Sequence, residues 1–163
     1  MHEYYLRLAY IEAIKSPDPS NQNGAILVAN NVIVAKDYNS FPEKLQVTEE
    51  MIINRQKKYL YIEHAERNVI YQAIRKDIYI SDCILYCPWL ACVDCSRAII
   101  LSGIKKTVGH QARMCTTPIR WKESIANGLK MMANCDVQLE FYDKPIPDCP
   151  SIIVNGELWN PGD

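Results

Sequence analysis

Two short stretches hold residue types that can do chemistry. His64-Ala65-Glu66 opens one amphipathic run, and Cys92-Val93-Asp94-Cys95 opens another. One imidazole and two thiolates are three ligands for a tetrahedral zinc, which leaves a fourth position for water. Zinc brings the pKa of such a water down to about 7. Glu66, two residues past the histidine, is the acid/base beside it. Cys92 and Cys95 are spaced i, i+3, so one helical turn presents both sulfurs on one side. Free N–H groups and a partial positive charge at a helix start favour thiolate there. A structural zinc site needs a fourth protein ligand; Cys87 and Cys83 are near enough in sequence to be considered. A structural site gives no reason for Glu66.

These residues need a scaffold, and the rest of the chain reads as one. A length of 163 residues argues for one catalytic domain over 1–163. Hydrophobic content of 48% and charged content of 23% allow an ordinary globular core. Net charge is −1, and Lys57-Lys58 and Lys105-Lys106 are only pairs, which argues against a nucleic-acid partner. No apolar run reaches membrane-spanning length and no signal pattern opens the chain, so no membrane partner and a cytoplasmic location are expected. Seven cysteines without a secretory signal point to free or metal-bound thiols.

Hydrophobic spacing predicts helices over residues 2–15, 61–76, 92–102 and 118–134, the last weakened by Gly128. The 61–76 run sets His64, Asn68, Tyr71 and Arg75 along one side. Strands are predicted over 24–29, 32–38, 82–86, 104–109 and 137–142, with a tight turn at Asn30-Asn31. Gly103 reads as a helix C-cap. Residues 43–59 lack a steady period and read as a loop with a short helix. Residues 143–163 read as an irregular tail with a hairpin at Asn155-Gly156. Helix, hairpin, then alternating helix and strand implies a mixed sheet covered on both faces. His110 reads as a satisfied strand-end histidine and His2 as terminal and mobile. Cys115, Cys135 and Cys149 read as ordinary thiols, and Cys83 as core.

H-x-E followed by C-x-x-C resembles the signature of zinc nucleobase deaminases. The chain resembles the cytidine and deoxycytidylate deaminase superfamily, most closely its deoxycytidylate deaminases. Asp18-Pro19-Ser20-Asn21-Gln22-Asn23-Gly24-Ala25 is similar to the family's D-P-x-x-Q-x-G-A, and Asp37-Tyr38-Asn39-Ser40-Phe41-Pro42 to its G-Y-N-G-x-P loop. His64-Ala65-Glu66-Arg67-Asn68 matches H-A-E-x-N, and residues 98–105 resemble the run after the second cysteine. Ala91 stands where the family has proline, Ser40 where it has glycine, and Pro17 where it often has lysine. An aromatic residue expected near His110 to Arg113 is missing.

The resemblance implies a three-layer α/β/α fold around a five-stranded mixed sheet, and deamination of dCMP to dUMP with release of ammonia. It implies that Asn39 meets the deoxyribose, the Ala65 N–H meets the pyrimidine carbonyl, Asn68 braces the site, and Trp89 walls the base pocket. Arg113 and Arg75 are the expected phosphate cations. It also implies a hexamer activated by dCTP and inhibited by dTTP with Mg2+, through an effector site at Asn21, Gln22, Phe41 and Pro42. The rival readings are a polynucleotide cytidine or tRNA adenosine deaminase, and a zinc-binding interaction module without turnover.

Overall fold

The apolar run Gly24–Ala29 is strand β1, and it is buried almost throughout. Ala25 and Leu27 face one core while Ile26 and Val28 face another. That alternation is what a strand shows when both of its faces are covered. The computed structural model describes residues 1–163. Around β1 the chain forms α1 (His2–Ala13), β2 (Val32–Tyr38), α2 (Glu49–Ile53), α3 (Arg55–Tyr61) and α4 (Ala65–Arg75). It continues through β3 (Ile84–Tyr86), α5 (Val93–Leu101), β4 (Lys106–His110), α6 (Gln111–Cys115) and α7 (Ile119–Asn134). β5 (Gln138–Tyr142), β6 (Ile152–Val154) and β7 (Glu157–Trp159) complete it.

The main sheet has five strands in the order β2-β1-β3-β4-β5. β1 pairs antiparallel with β2 and β3, whereas β3-β4 and β4-β5 are parallel. The sheet is therefore mixed, as expected. α4, α5 and α7 cover one face around Leu85, Val69, Ile99 and Met132. α1 and the β6-β7 hairpin cover the other, around Leu6, Tyr10, Ile146 and Ile152. Asn30-Asn31 and Asn155-Gly156 both take left-handed backbone at their turns, as two-residue hairpin loops of this kind require. Gly103 takes φ +83 just past α5, where the residue after a helix is commonly left-handed. No helix is long and apolar enough to cross a membrane.

Four sequence expectations need correction. Residues 43–59 hold two helices, each opened by a side-chain cap: Thr48 accepts from the Met51 N–H and Asn54 from the Lys57 N–H. Those caps were readable signals, but the short helices they open bury too little to show a period. The helix expected from residue 61 starts at Ala65 instead, because Ser40 and Glu63 exchange two backbone hydrogen bonds (3.0 and 2.8 Å) and hold the chain extended before His64. His2 is not loose: its ring bonds the Tyr86 hydroxyl at 3.0 Å and Glu140 at 2.9 Å. The tail is also less irregular than expected. Its hairpin docks on the Ser20–Gln22 loop through the Gln22 N–H to the Ile153 carbonyl (2.9 Å) and the Gly156 N–H to the Ser20 carbonyl (2.9 Å).

Candidate active site

His64 and Cys92 are the N-cap residues of α4 and α5, both with extended backbone and neither with a side-chain cap bond. The first N–H groups of a helix have no intrahelical acceptor. Two such ends therefore open on the same space. Cys95 lies in the first turn of α5 and is fully buried. α7 closes the site from behind at Gly128. A Cβ there would lie 2.4 Å from Ser96 Oγ and 2.6 Å from the Ala91 carbonyl oxygen. The glycine that weakens the helix on propensity is what lets α7 reach the loop before Cys92.

His64 Nδ1 lies 3.5 Å from Cys92 Sγ and 3.4 Å from Cys95 Sγ. All three ligand atoms fall within 4.8 Å of one another. Zinc bonds of 2.3 Å to sulfur and 2.0–2.1 Å to nitrogen at a tetrahedral angle require an N···S separation of about 3.6 Å. The side chains present thus fit that ion. Cys87 does not join them. Its fully buried sulfur takes a hydrogen bond from Asn23 Nδ2 at 3.2 Å, and burial pushes its thiol up well above the ordinary range. Cys83 packs in the core. Three side chains are thus placed to hold the ion.

The charges are mutually adjusted. The hydrogen bond from the Cys95 thiol, helped by His64, draws the Cys92 thiol far down. Burial would lower His64, but the bond to Cys92 and the charge of Glu66 more than offset it, so the imidazole stands raised. Glu66 is almost entirely buried beside them. Desolvation, only partly opposed by His64, lifts its carboxyl to about 7. A general acid/base works best with a pKa near the working pH.

These groups form the floor of a cleft. Its other walls carry Asp18, Asn21, Asn23, Asn39, Lys58, Tyr59, Trp89 and Trp121. Asp18 Oδ1 accepts from Lys58 Nζ at 2.6 Å and from the Ser20 and Asn21 N–H groups at 2.8 and 3.2 Å. Both members of the ion pair are buried. Asn39 is locked: Oδ1 accepts from the Asn23 N–H at 2.8 Å, and Nδ2 donates to the Asn21 carbonyl at 2.9 Å and to Asp18 at 3.4 Å. Asn23, by contrast, has a buried Oδ1 with no partner. Trp121, from the first turn of α7, meets His64, Tyr59 and Trp89 edge-on at 5.6, 5.5 and 6.3 Å between ring centroids.

Of the residues singled out from the sequence, His64, Cys92, Glu66, Ala65, Asn39 and Trp89 line the cleft, and Cys95 meets His64 and Cys92 beneath it. Asn68 does not line this cleft. It bonds the Tyr38 carbonyl and the Ser40 hydroxyl and so tethers the Asn39 loop from outside. Arg113 is not available to a phosphate: it is fully buried behind Trp89, with its guanidinium carbon 4.3 Å from the indole centroid. Arg75 lies in a second groove with Phe41, Pro42, Glu43 and Lys76. The four expected effector residues are divided. Phe41 and Pro42 line that groove, whereas Asn21 lines the cleft and Gln22 is spent on the tail hairpin and the end of α1. Lys58, Asn23 and Trp121 were missed. Lys58 looked like half of an isolated lysine pair, and Trp121 supplies an aromatic wall from eight residues beyond Arg113, the end of the stretch where one was sought.

The sequence pattern described as the cytidine and deoxycytidylate deaminase zinc-binding region matches residues 1–111. Deoxycytidylate deaminase of Homo sapiens is 32% identical over 166 residues, covering 97% of this chain and 86% of that protein. A probable deoxycytidylate deaminase of Caenorhabditis elegans is 32% identical over 111 residues, and the match spans 54% of its length. The crystal structure of dCMP deaminase from the cyanophage S-TIM5 in complex with dCMP and dUMP superposes with a TM-score of 0.70 at 24% identity, covering 86% of this chain and 95% of that one. The chain belongs to the cytidine and deoxycytidylate deaminase family, and it has that fold.

Proposed function

We propose that this protein deaminates dCMP to dUMP, consuming water and releasing ammonia. The observation that carries the reading is the His64–Cys92–Cys95 triangle of zinc dimensions with a buried Glu66 beside it. A zinc held there supplies Lewis acidity and lowers the pKa of water. Glu66 takes one proton from the attacking water and passes it to the pyrimidine ring nitrogen; it then takes the remaining proton from the hydroxyl of the tetrahedral adduct and gives it to the amine, so that the C=O forms as ammonia leaves. The Ala65 N–H, first in α4 and without an intrahelical acceptor, donates to the pyrimidine carbonyl. Trp89 and Trp121 flank the base.

The locked amide of Asn39 orders the sugar wall, and the unpartnered Oδ1 of Asn23 takes the deoxyribose hydroxyl. Lys58 lines the cleft, but its ammonium is buried and paired with Asp18; the exposed cation beside the cleft is Arg120, through its bond to the Tyr59 hydroxyl, and it replaces Arg113 and Arg75 as the phosphate-binding group. Ammonia release measured with dCMP, dCTP, deoxycytidine and single-stranded DNA tests the assignment. The specificity constant should be largest for dCMP. Equal values for deoxycytidine and dCMP would remove the nucleotide reading, and turnover confined to DNA would replace it.

The finer expectations belong to the same reading. Control by dCTP and dTTP with Mg2+ would act at the Phe41–Pro42 groove, whose cations are Arg75 and Lys76. That groove borders the Asn39 loop through Asn68 and Ser40. Rates against dCMP concentration, with and without each triphosphate, decide it: a hyperbola indifferent to both leaves an unregulated enzyme. A hexamer is the assembly in which such control would be cooperative, and sedimentation measures it. The seven free cysteines suit a reducing, cytoplasmic setting.

A further inference from the structure

Arg113 is a buried cation without an anionic partner. Nη2 donates to Asn21 Oδ1 at 3.0 Å, Nη1 donates to Thr116 Oγ1 at 2.6 Å, and the buried Nε has no partner. The guanidinium lies over the Trp89 indole. Burial lowers its pKa only to about 10, so it stays protonated at neutral pH. Burying a charge without a counter-ion is costly, and a packing role alone would be met more cheaply by an apolar side chain. What distinguishes these partners is where they lie: Trp89 and Asn21 both face the cleft, whereas Arg113 does not.

The same short segment holds the indole twice. Trp89 Nε1 donates to Thr117 Oγ1 at 2.9 Å while Arg113 holds its face. Asn21 is likewise held twice, since its Oδ1 accepts from Arg113 and from the Asn155 N–H in the tail turn at 3.1 Å. A planar guanidinium can stack on a ring and hydrogen-bond in its own plane at once; an ammonium cannot.

We propose that Arg113 is a positioning residue that fixes the plane of Trp89 and the seat of Asn21, so that the cleft is shaped for the nucleotide before it binds. This rests on the deaminase reading. Its signature is a rise in KM with little change in kcat, because Arg113 acts on the walls and not on Glu66 or the ligand triangle.

The test uses full-length, zinc-loaded Arg113→Lys and Arg113→Ala, with folded fraction and zinc content measured first. KM for dCMP should rise about tenfold in Arg113→Lys with kcat within about threefold. Methylguanidinium should restore KM in Arg113→Ala, and methylammonium should not. The near-ultraviolet circular dichroism of the tryptophans should change in Arg113→Ala and recover with methylguanidinium. An unchanged KM in folded Arg113→Lys overturns the proposal, and so does indifference of Arg113→Ala to methylguanidinium. If Arg113→Ala does not fold, the KM and tryptophan signal of Arg113→Lys decide. A wild-type protein that releases no ammonia from dCMP sinks the deaminase reading instead, and the tryptophan signal then decides the positioning role separately.

Discussion

The floor of the cleft and the wall opposite it are assembled from different kinds of sequence. The floor comes from two helix starts, His64 to Glu66 and Cys92 to Cys95, whose chemistry is contained in a few consecutive residues. The wall comes from the loop around Asp18, from Asn39 at the end of β2, and from Lys58 on α3. It is joined by hydrogen bonds between residues 16 to 40 positions apart. Helix starts supply unsatisfied N–H groups whatever surrounds them. The wall has no such local device, and its shape exists only once Asp18, Asn21, Asn39 and Lys58 have satisfied one another. Reaction type is thus written locally, and fit to the substrate is written at long range. Substitutions should separate the two.

The largest effect belongs to the floor. Cys92→Ser should lose the metal and with it all measurable turnover, whereas the wild type should carry about one zinc per chain. Elemental analysis of the purified proteins checks this, and full zinc retention by the variant would sink the ligand assignment. Next is Glu66→Gln, which should keep the zinc and lower kcat by about 10²–10⁴-fold, since the amide is nearly isosteric but moves no proton. Near-normal turnover there would mean that another group is the acid/base, and the division between floor and wall would have to be redrawn.

The wall should respond in stability before chemistry. Lys58→Met leaves Asp18 buried and unpaired, and breaking a buried ion pair in this way costs about 3–5 kcal/mol. Pairing it with Asp18→Asn removes the orphaned charge and should recover part of the loss. Urea unfolding of the two variants measures the difference. Equal stabilities would show that the pair is not the organising contact of the wall.

That contrast also explains what could be read from the sequence. His64, Glu66, Cys92 and Cys95 were legible because ligand type and spacing are local. The five strands were legible because β1 and its neighbours are apolar runs bounded by turn residues. The surroundings of the cationic side chains were not. Arg113 sits just past β4, where a substrate arginine was sought, but α6 turns it inward behind Trp89. Lys58 belongs to a helix too short to show a period, and only the fold reveals that its ammonium meets Asp18. The effector set was split for the same reason. Asn21 accepts from the Asn39 amide and Phe41 lies two residues past it, yet they face different cavities.

Gly128 offers a smaller test, aimed at the floor from outside its motifs. Gly128→Ala puts a methyl into Ser96 and the Ala91 carbonyl, and backbone atoms have little room to yield. Overpacking of this kind costs about 1–3 kcal/mol. Because the clash lies against the loop that carries Cys92, zinc affinity should fall along with thermal stability. A stable variant with unchanged zinc affinity would show that α7 does not set the ligand loop.

The smallest effect concerns the tail, and it bears on how far the wall extends. Gly156 has φ +86 with open space where a Cβ would lie, so Gly156→Ala introduces no clash and only a left-handed alanine. That conformation costs about 1–2 kcal/mol for a residue with a Cβ. The strain falls on the turn whose neighbour, Asn155, donates its N–H to Asn21 Oδ1, and whose own N–H bonds the Ser20 carbonyl. Both acceptors lie on the loop that forms the wall. If the hairpin is part of that wall, loosening it should raise KM for dCMP about twofold to threefold while kcat and zinc content stay unchanged. The floor touches neither residue, so it has no route to feel the substitution. A lowered melting temperature with an unaltered KM would confine the hairpin to covering the sheet face around Ile146 and Ile152, and would end the wall at Asn21.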